Sequence, residues 1–468
     1  MPALHPLLRD GLAVLLATVG VLSIALVNGY PLVYADTGTY LASAFEGVVP
    51  VDRPFWYGAF IRGLSFGGAT LWPVAVAQAL LCALAIHRIA DLFLPPTRAA
   101  VATVVLCVLL GPFTGLGWFA GQVMPDVLTA VGAVSMAFLI LRNEQWPWRA
   151  FDVALVLLAC WCHLSNLVIL PVVGLVAVMI SPRPRRRVFL QAVSVTACAW
   201  CGLFAANGLV TGTPHVSRGS HVFLMGRLVD AGLLRPWLEE HCPTEPYGLC
   251  AYLDSLPTTS RAFLWYPESP LQRQGGWEAT RAEYGRIVRG TLTEPRYLLG
   301  HVRASLVSTA EQLRATALAD GVVSPWFADP ATPPYQRVEQ HVPHELPAFR
   351  NSWQATARGR IPTAVFDVVH ALLLALSAAS AVEAQPAPDR QIWLQVLAVG
   401  ELSENWRSHL EVQPRWFDDG SELGLTIVRT AIGRRLTPRV TAFVGYAWVP
   451  RTFGEGVRHE QRIWQQLS

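Results

Sequence analysis

Apolar runs of about 20 residues, repeated along one chain, leave few folds open, because that is the helix length a hydrocarbon core about 30 Å thick requires. Here they are Gly11–Val27, Leu71–Ile86, Ala99–Phe119, Val123–Leu141 and Val188–Val210. A further run, Phe151–Ile180, is interrupted by His163-Leu-Ser-Asn166 and by Pro171, and reads as two short helices or one broken helix. The 468 residues are 52% hydrophobic and only 15% charged, against about 25% charged in a soluble domain. That excludes disorder, a collagen-like fibre and a simple soluble enzyme. A net charge of +3 is too small to imply a nucleic-acid partner. The fold class expected is mostly α: a polytopic transmembrane helix bundle over 1–211 with an outer loop over 28–70. A polar extracytoplasmic domain over 212–362 and a C-terminal partial antiparallel β segment over 391–467 follow it.

Lys and Arg concentrate in cytoplasmic loops. Arg183-Pro-Arg185-Arg186-Arg187 sets that side, and Arg9, Arg88, Arg98, Arg142 and Arg149 agree with it if the chain turns near His163. Asn28–Thr70, Pro112–Gln122 and the region after Thr211 then face outward, from a bacterial inner membrane into the periplasm. Six of the eight cysteines fall in apolar runs; only Cys242 and Cys250 lie in the polar region. In an oxidising compartment those two are candidates for a disulfide, with two free thiols as the alternative.

The outer loop holds Thr37–Phe45 and Pro54–Phe66, too short to span and spaced like amphipathic helices at the interface. Asp36 immediately precedes the first of them, where an N-cap is the plain reading. Asp126 opens the helix to Leu141 behind Pro125, again ordinary helix-start chemistry. Yet the topology puts Asp36, Asp126, Arg53 and His163 at one membrane surface, where carboxylates need a partner or a wet cavity. A carboxylate there could take a proton from a hydroxyl acceptor, and Arg53 could hold a phosphate in its planar fork. His163 reads as a polar residue at a turn or as a member of that site. Trp56 reads as an interfacial anchor or as part of a sugar pocket, with Tyr40 beside it. No metal is assigned: His215, His221, His241 and His301 lack ligand spacing, and His341-Val-Pro-His344 reads as a loop. No cofactor is expected, with a divalent cation left open.

Tyr34-Ala-Asp36-Thr-Gly-Thr-Tyr40, Asp52-Arg53-Pro54 and Met124-Pro125-Asp126, set among spans and interfacial helices, give residues 1–362 their likeness. They resemble the GT-C glycosyltransferases, integral membrane enzymes that use polyprenyl-phosphate sugar donors. The resemblance implies Asp36 as catalytic base, Asp126 as the second acidic residue, and a membrane-lipid donor. The expectation is transfer of a sugar from polyprenyl phosphate on the outer side of the inner membrane. The alternatives are a transporter or lipid flippase using the same cavity without bond chemistry, and a non-catalytic membrane protein with a fused β segment.

From Gln391 the period changes to two. In Trp406–Phe417, Leu410, Val412, Pro414 and Trp416 alternate with His409, Glu411, Gln413 and Arg415, and Leu423–Ile432, Arg439–Trp448 and Val457–Leu467 are further strand-length segments. Alternation over about ten residues is the mark of a transmembrane β-barrel strand. Glu411-Val-Gln-Pro-Arg415, Gly445-Tyr446 and Glu460-Gln-Arg462 are similar to a family of uncharacterised bacterial outer-membrane-type β proteins. About five strands are too few to close a barrel. Residues 364–384 read as an apolar helix or as a secretory signal with cleavage positions at Val382 and Ala384. A signal there conflicts with an outer domain before it, so the expectation is two joined reading frames, with a genuine two-part protein as the alternative.

Overall fold

The computed structural model describes residues 6–315, 317–318, 322–356, 365–372, 392–417, 422–437, 440–453 and 456–467. The chain divides into two units, Met1–Thr363 and Ala364–Ser468. Most of the signal-like stretch 364–384 lies outside the described residues, apart from a helical segment over 365–372.

The first unit is helical. α1 (Pro6–Val21) and α2 (Ser23–Asn28) abut at Leu22, whose amide still donates to Thr18 O at 3.0 Å. After α3 (Thr37–Glu46) and α4 (Trp56–Leu64) come α5 (Trp72–Phe93), α6 (Pro96–Phe113), α7 (Gly115–Ala120), α8 (Val127–Leu141), α9 (Trp146–Cys162), α10 (Asn166–Ile180) and α11 (Arg185–Thr211). α5, α6 and α11 are long and apolar enough to cross a membrane, and α8 and α10 are shorter apolar helices. The run 151–180 is two helices turning at His163–Ser165, with Pro171 inside the second. α1 and α6 meet through glycines. A Cβ on Gly111 would lie 2.1 Å from Gly20 O, so only hydrogen lets the two backbones come this close.

Charge sorts to the two ends of these helices. At one end Arg88 is buried between two carboxylates, with its terminal nitrogens 2.6 and 2.8 Å from the two Asp152 oxygens and 2.6 Å from Glu144. Phe138 and Trp148 close over its guanidinium at 4.3 and 4.8 Å. Arg183 donates to the carbonyls of Leu139, Ile140 and Arg142, satisfying acceptors that the end of α8 leaves open. At the other end of α8 and α9 lie Asp126 and His163.

Beyond α11 the chain builds a separate core from α12 (Ser220–Asp230), α13 (Leu234–His241), α14 (Ser260–Trp265), α15 (Pro270–Arg273), α16 (Gly276–Ala279) and α17 (Arg281–Thr293). Cys242 and Cys250 form a disulfide across its edge. α18 (Pro295–Arg314) follows, and α19 (Pro333–His341), α20 (Leu346–Arg350) and α21 (Trp353–Thr356) return to the first loop. Phe327, Tyr335, Val338, Val342 and Phe349 share one core with Tyr40, Leu41 and Tyr57. α3 and α4 are therefore covered by protein: a Cβ on Gly38 would lie 2.8 Å from the Pro333 backbone. The amphipathic spacing seen in the sequence serves this cover.

The second unit is an antiparallel sheet of β1 (Ile392–Trp393), β2 (Val396–Ser403), β3 (Trp406–Phe417), β4 (Glu422–Thr437), β5 (Val440–Phe453) and β6 (Gly456–Leu467). β1 and β2 both pair with β3, and β3 to β6 form a meander. Among the described residues β6 pairs with β5 alone, so the sheet is open. Its buried face is mixed: His409, Glu411 and Gln413 turn in beside Phe443 and Ala447, while Leu410, Ile432, Val444 and Ile463 are exposed.

Candidate functional site

Two stretches of backbone, 30–37 and 120–127, run side by side. Leu32 and Gln122 form a parallel bridge, with Leu32 N–H donating to Gly121 O at 2.9 Å and Val123 N–H to Leu32 O at 2.8 Å. Thr37 Oγ1 ties the same pair, donating to Val123 O and accepting from Tyr34 N–H. Below, the buried Gln78 amide donates to Ala120 O and Gln122 O and lies 2.6 Å from the Tyr57 hydroxyl. From the other side Gln354 Nε2 donates to Val33 O and its Oε1 accepts from Val33 N–H. Buried amides satisfied at both ends rigidify what they touch. This double clamp puts the starts of α3 and α8, and so Asp36 and Asp126, at one place.

Neither carboxylate caps its helix. Both residues already have right-handed helical backbone angles and make no side-chain cap bond. Asp36 instead pairs with Arg53, Oδ1 to Nη2 at 2.6 Å, and Asp52 approaches the same guanidinium at 3.2 Å. Tyr40 lies under it, with 5.9 Å from its ring centroid to Arg53 Cζ. Burial raises the Asp36 carboxyl above its usual range; Arg53 pulls it down, while the charges of Asp52 and Asp126 push it up further. The net direction is upward, toward a stronger base. Burial also raises the Tyr40 hydroxyl against the opposing charge of Arg53, which keeps it a neutral donor.

Asp126 faces His163 across 3.8 Å, an ion-pair distance too long for a hydrogen bond. Its Oδ2 is shut off from solvent with no hydrogen-bond partner, an unmet acceptor of the kind that calls for explanation. The indole N–H of Trp56 donates to Asn207 Oδ1 at 3.1 Å and its ring lies 5.1 Å from that of Trp161. Beside Arg53 is a cleft of about 20 Å³ lined by Val51, Pro54, Asn207, His215, Ser217 and Arg218, room for about one water. Asp52, His215 and Arg218 are neighbours the sequence left unassigned as a site. Asp52 was legible from its place next to Arg53, but the loop 215–218 is brought in only by the return of the chain after α11. A larger cavity of about 800 Å³ lies at the opposite, arginine-rich end of the helices, where Arg88, Arg142 and Glu144 already satisfy one another.

Residues 390–468 match the model of a family described as Protein of unknown function (DUF2490). The match covers the sheet and stops short of the helical unit. No curated protein and no solved structure matches the chain. The site at Asp36 is therefore read from its own geometry.

Proposed function

We propose that the helical unit is a polytopic enzyme of a bacterial inner membrane that transfers a sugar from a polyprenyl-phosphate donor on the outer side. The observation that carries this reading is the start of α3, where Asp36 gives up the capping role and is held, half-buried, against Arg53. Support for the orientation comes from the arginine-rich ends of the helices and from the Cys242–Cys250 disulfide, which suits an oxidising compartment. The resemblance of residues 1–362 to GT-C glycosyltransferases points the same way.

In this reading Arg53 serves two anions in turn. A donor phosphate draws the guanidinium away through paired, charge-assisted hydrogen bonds. Asp36 loses its counter-ion in a half-buried place, and its proton affinity rises as the donor binds. The carboxylate takes the proton of the acceptor hydroxyl. The acceptor oxygen forms its bond to the anomeric carbon as the bond from that carbon to the phosphate oxygen breaks, and polyprenyl phosphate leaves with its charge on Arg53. Asp126 Oδ2, which lacks a hydrogen-bond partner, would accept from a sugar hydroxyl once the site opens. The closed cleft is water-sized, so donor entry requires 49–55 and 215–218 to part.

The test uses membranes holding the full chain, supplied with radiolabelled polyprenyl-phosphate sugars. Asp36→Asn should abolish label transfer while leaving donor binding and insertion intact. Wild-type transfer by Asp36→Asn removes Asp36 from the reaction. Movement of intact donor across the membrane, with no transfer by the wild type, replaces the enzyme with a flippase.

A further inference from the structure

α18 is amphipathic the wrong way round. At 3.6 residues per turn Leu298, Val302, Leu306 and Leu299 fall within about 100° of one another. A soluble protein turns such a stripe to its core. Here the stripe is exposed, with Leu299 70% and Leu306 68% accessible. The inward arc holds Tyr297, Gly300, His301, Ala304 and Ser308, all buried or half-buried. Of these, Tyr297 packs in the core of α12 to α17, and His301 Nε2 lies 3.0 Å from Thr291 Oγ1. The seating of α18 is thus decided by its small and polar face, and its leucines are left outside.

We infer that α18 lies on the membrane surface, with its leucine stripe in the lipid and Arg303 on its flank at the head groups. What covers the stripe follows from three further observations. Arg296 and Arg303 are exposed and sit side by side just beyond Leu299 on the wheel; Arg296 is held 3.3 Å from Glu240, and Arg303 is placed to lie along apolar surface and reach an anionic phosphate. Beyond the helix, Leu318 comes back to α7: a Cβ on Gly115 would lie 3.9 Å from Leu318 Cδ2. α7 follows directly on α6, one of the membrane-length helices, so the chain leaving α18 returns to the level where that helix ends. The same unit supplies three such helices, so a bilayer is within reach of any surface at that level. The inference rests on the membrane reading of the helical unit and is independent of the sugar chemistry. Its consequence is a second tie, besides α11, that holds the α12–α17 core and the loop 215–218 down against the lipid.

The test places single cysteines at 299, 302, 306 and 307 of the full chain, in a background of Cys198→Ala and Cys201→Ala, the exposed free thiols among the described residues. Each is nitroxide-labelled in nanodiscs of phosphatidylethanolamine and phosphatidylglycerol. Collisions with dissolved oxygen should exceed those with a water-soluble nickel complex at 299, 302 and 306, and the order should reverse at 307. Nickel dominating at all four positions overturns the inference. So does dipolar broadening that vanishes on dilution with unlabelled protein, which would put a second copy of this chain on the stripe. If a cysteine variant misfolds, the unmodified chain is irradiated in nanodiscs carrying a lipid with a diazirine near its head group. Labelled peptides from 295–314 support the inference, and labelling of α11 without α18 overturns it.

Discussion

The two units both carry large apolar side chains outside, yet they handle polar groups in opposite ways. The helical unit gathers charge at the ends of its helices: Arg88, Asp152 and Glu144 at one, Asp36, Arg53 and Asp126 at the other. The sheet spreads its polar residues along one face at every second position, as with His409, Glu411 and Gln413. The backbone explains the contrast. A helix satisfies its amides internally, so side-chain polarity can be concentrated where chemistry or a boundary needs it. A strand depends on neighbours, and an open sheet keeps unpaired edges however well its faces alternate. A concentrated site belongs to the first design, and the second offers a surface without a focus.

That comparison breaks most visibly at the buried ion pair. Asp152→Asn leaves Arg88 short of a buried partner and should cost about 3 kcal/mol. Hydrogen exchange should rise in α5 and α9 and stay unchanged in β3 to β5; a rise in both would mean that the units fold as one. Next is the disulfide. Opening the short loop Cys242–Cys250 should cost about 2.5 kcal/mol in chain entropy, seen as faster proteolysis of 220–297 under reductant; equal rates with and without reductant would contradict it. In the sheet, Glu411 accepts from Gln395 at 2.7 Å and Arg429 at 3.1 Å. Glu411→Gln should cost about 1 kcal/mol, as lost exchange protection confined to β2, β3 and β4. The smallest effect is electrostatic. Asp36 must be ionised to act, so transfer should fall as pH drops through its raised value. Arg53 holds that value down, so Arg53→Gln should move the acid limb of the residual activity to higher pH. A shift to lower pH would reverse the assigned interaction.

Much of this was legible in the sequence because it is local. The apolar runs, the turn at His163 and the starts of α3 and α8 follow from periodicity and helix-start residues within a few positions. The period-two segments of the tail likewise became strands, longer than their alternation alone marks: β4 runs from Glu422 to Thr437. Asp36 and Arg53 share one loop, and the nearness of Asp126 to them follows from the two membrane-length helices in between, since an even number of crossings returns the chain to one side. The cover over α3 was not. Gln354 reaches Val33 from 321 residues away, and no local pattern in a segment rich in proline and tryptophan announces such a contact. The outward stripe of α18 was missed for another reason: Arg303 and Glu311 interrupt its hydropathy, and only burial shows which face is turned out.

If the proposed site is wholly the helical unit's, transfer needs nothing from the sheet. The measurement is sugar transfer by a chain ended after Ala384, beside the full chain and with Asp36→Asn in each. Equal transfer by the long and short chains is expected, and none from either once Asp36 is replaced. Loss of transfer on truncation, with the helical unit normally inserted, would contradict it and make the two units a single working device.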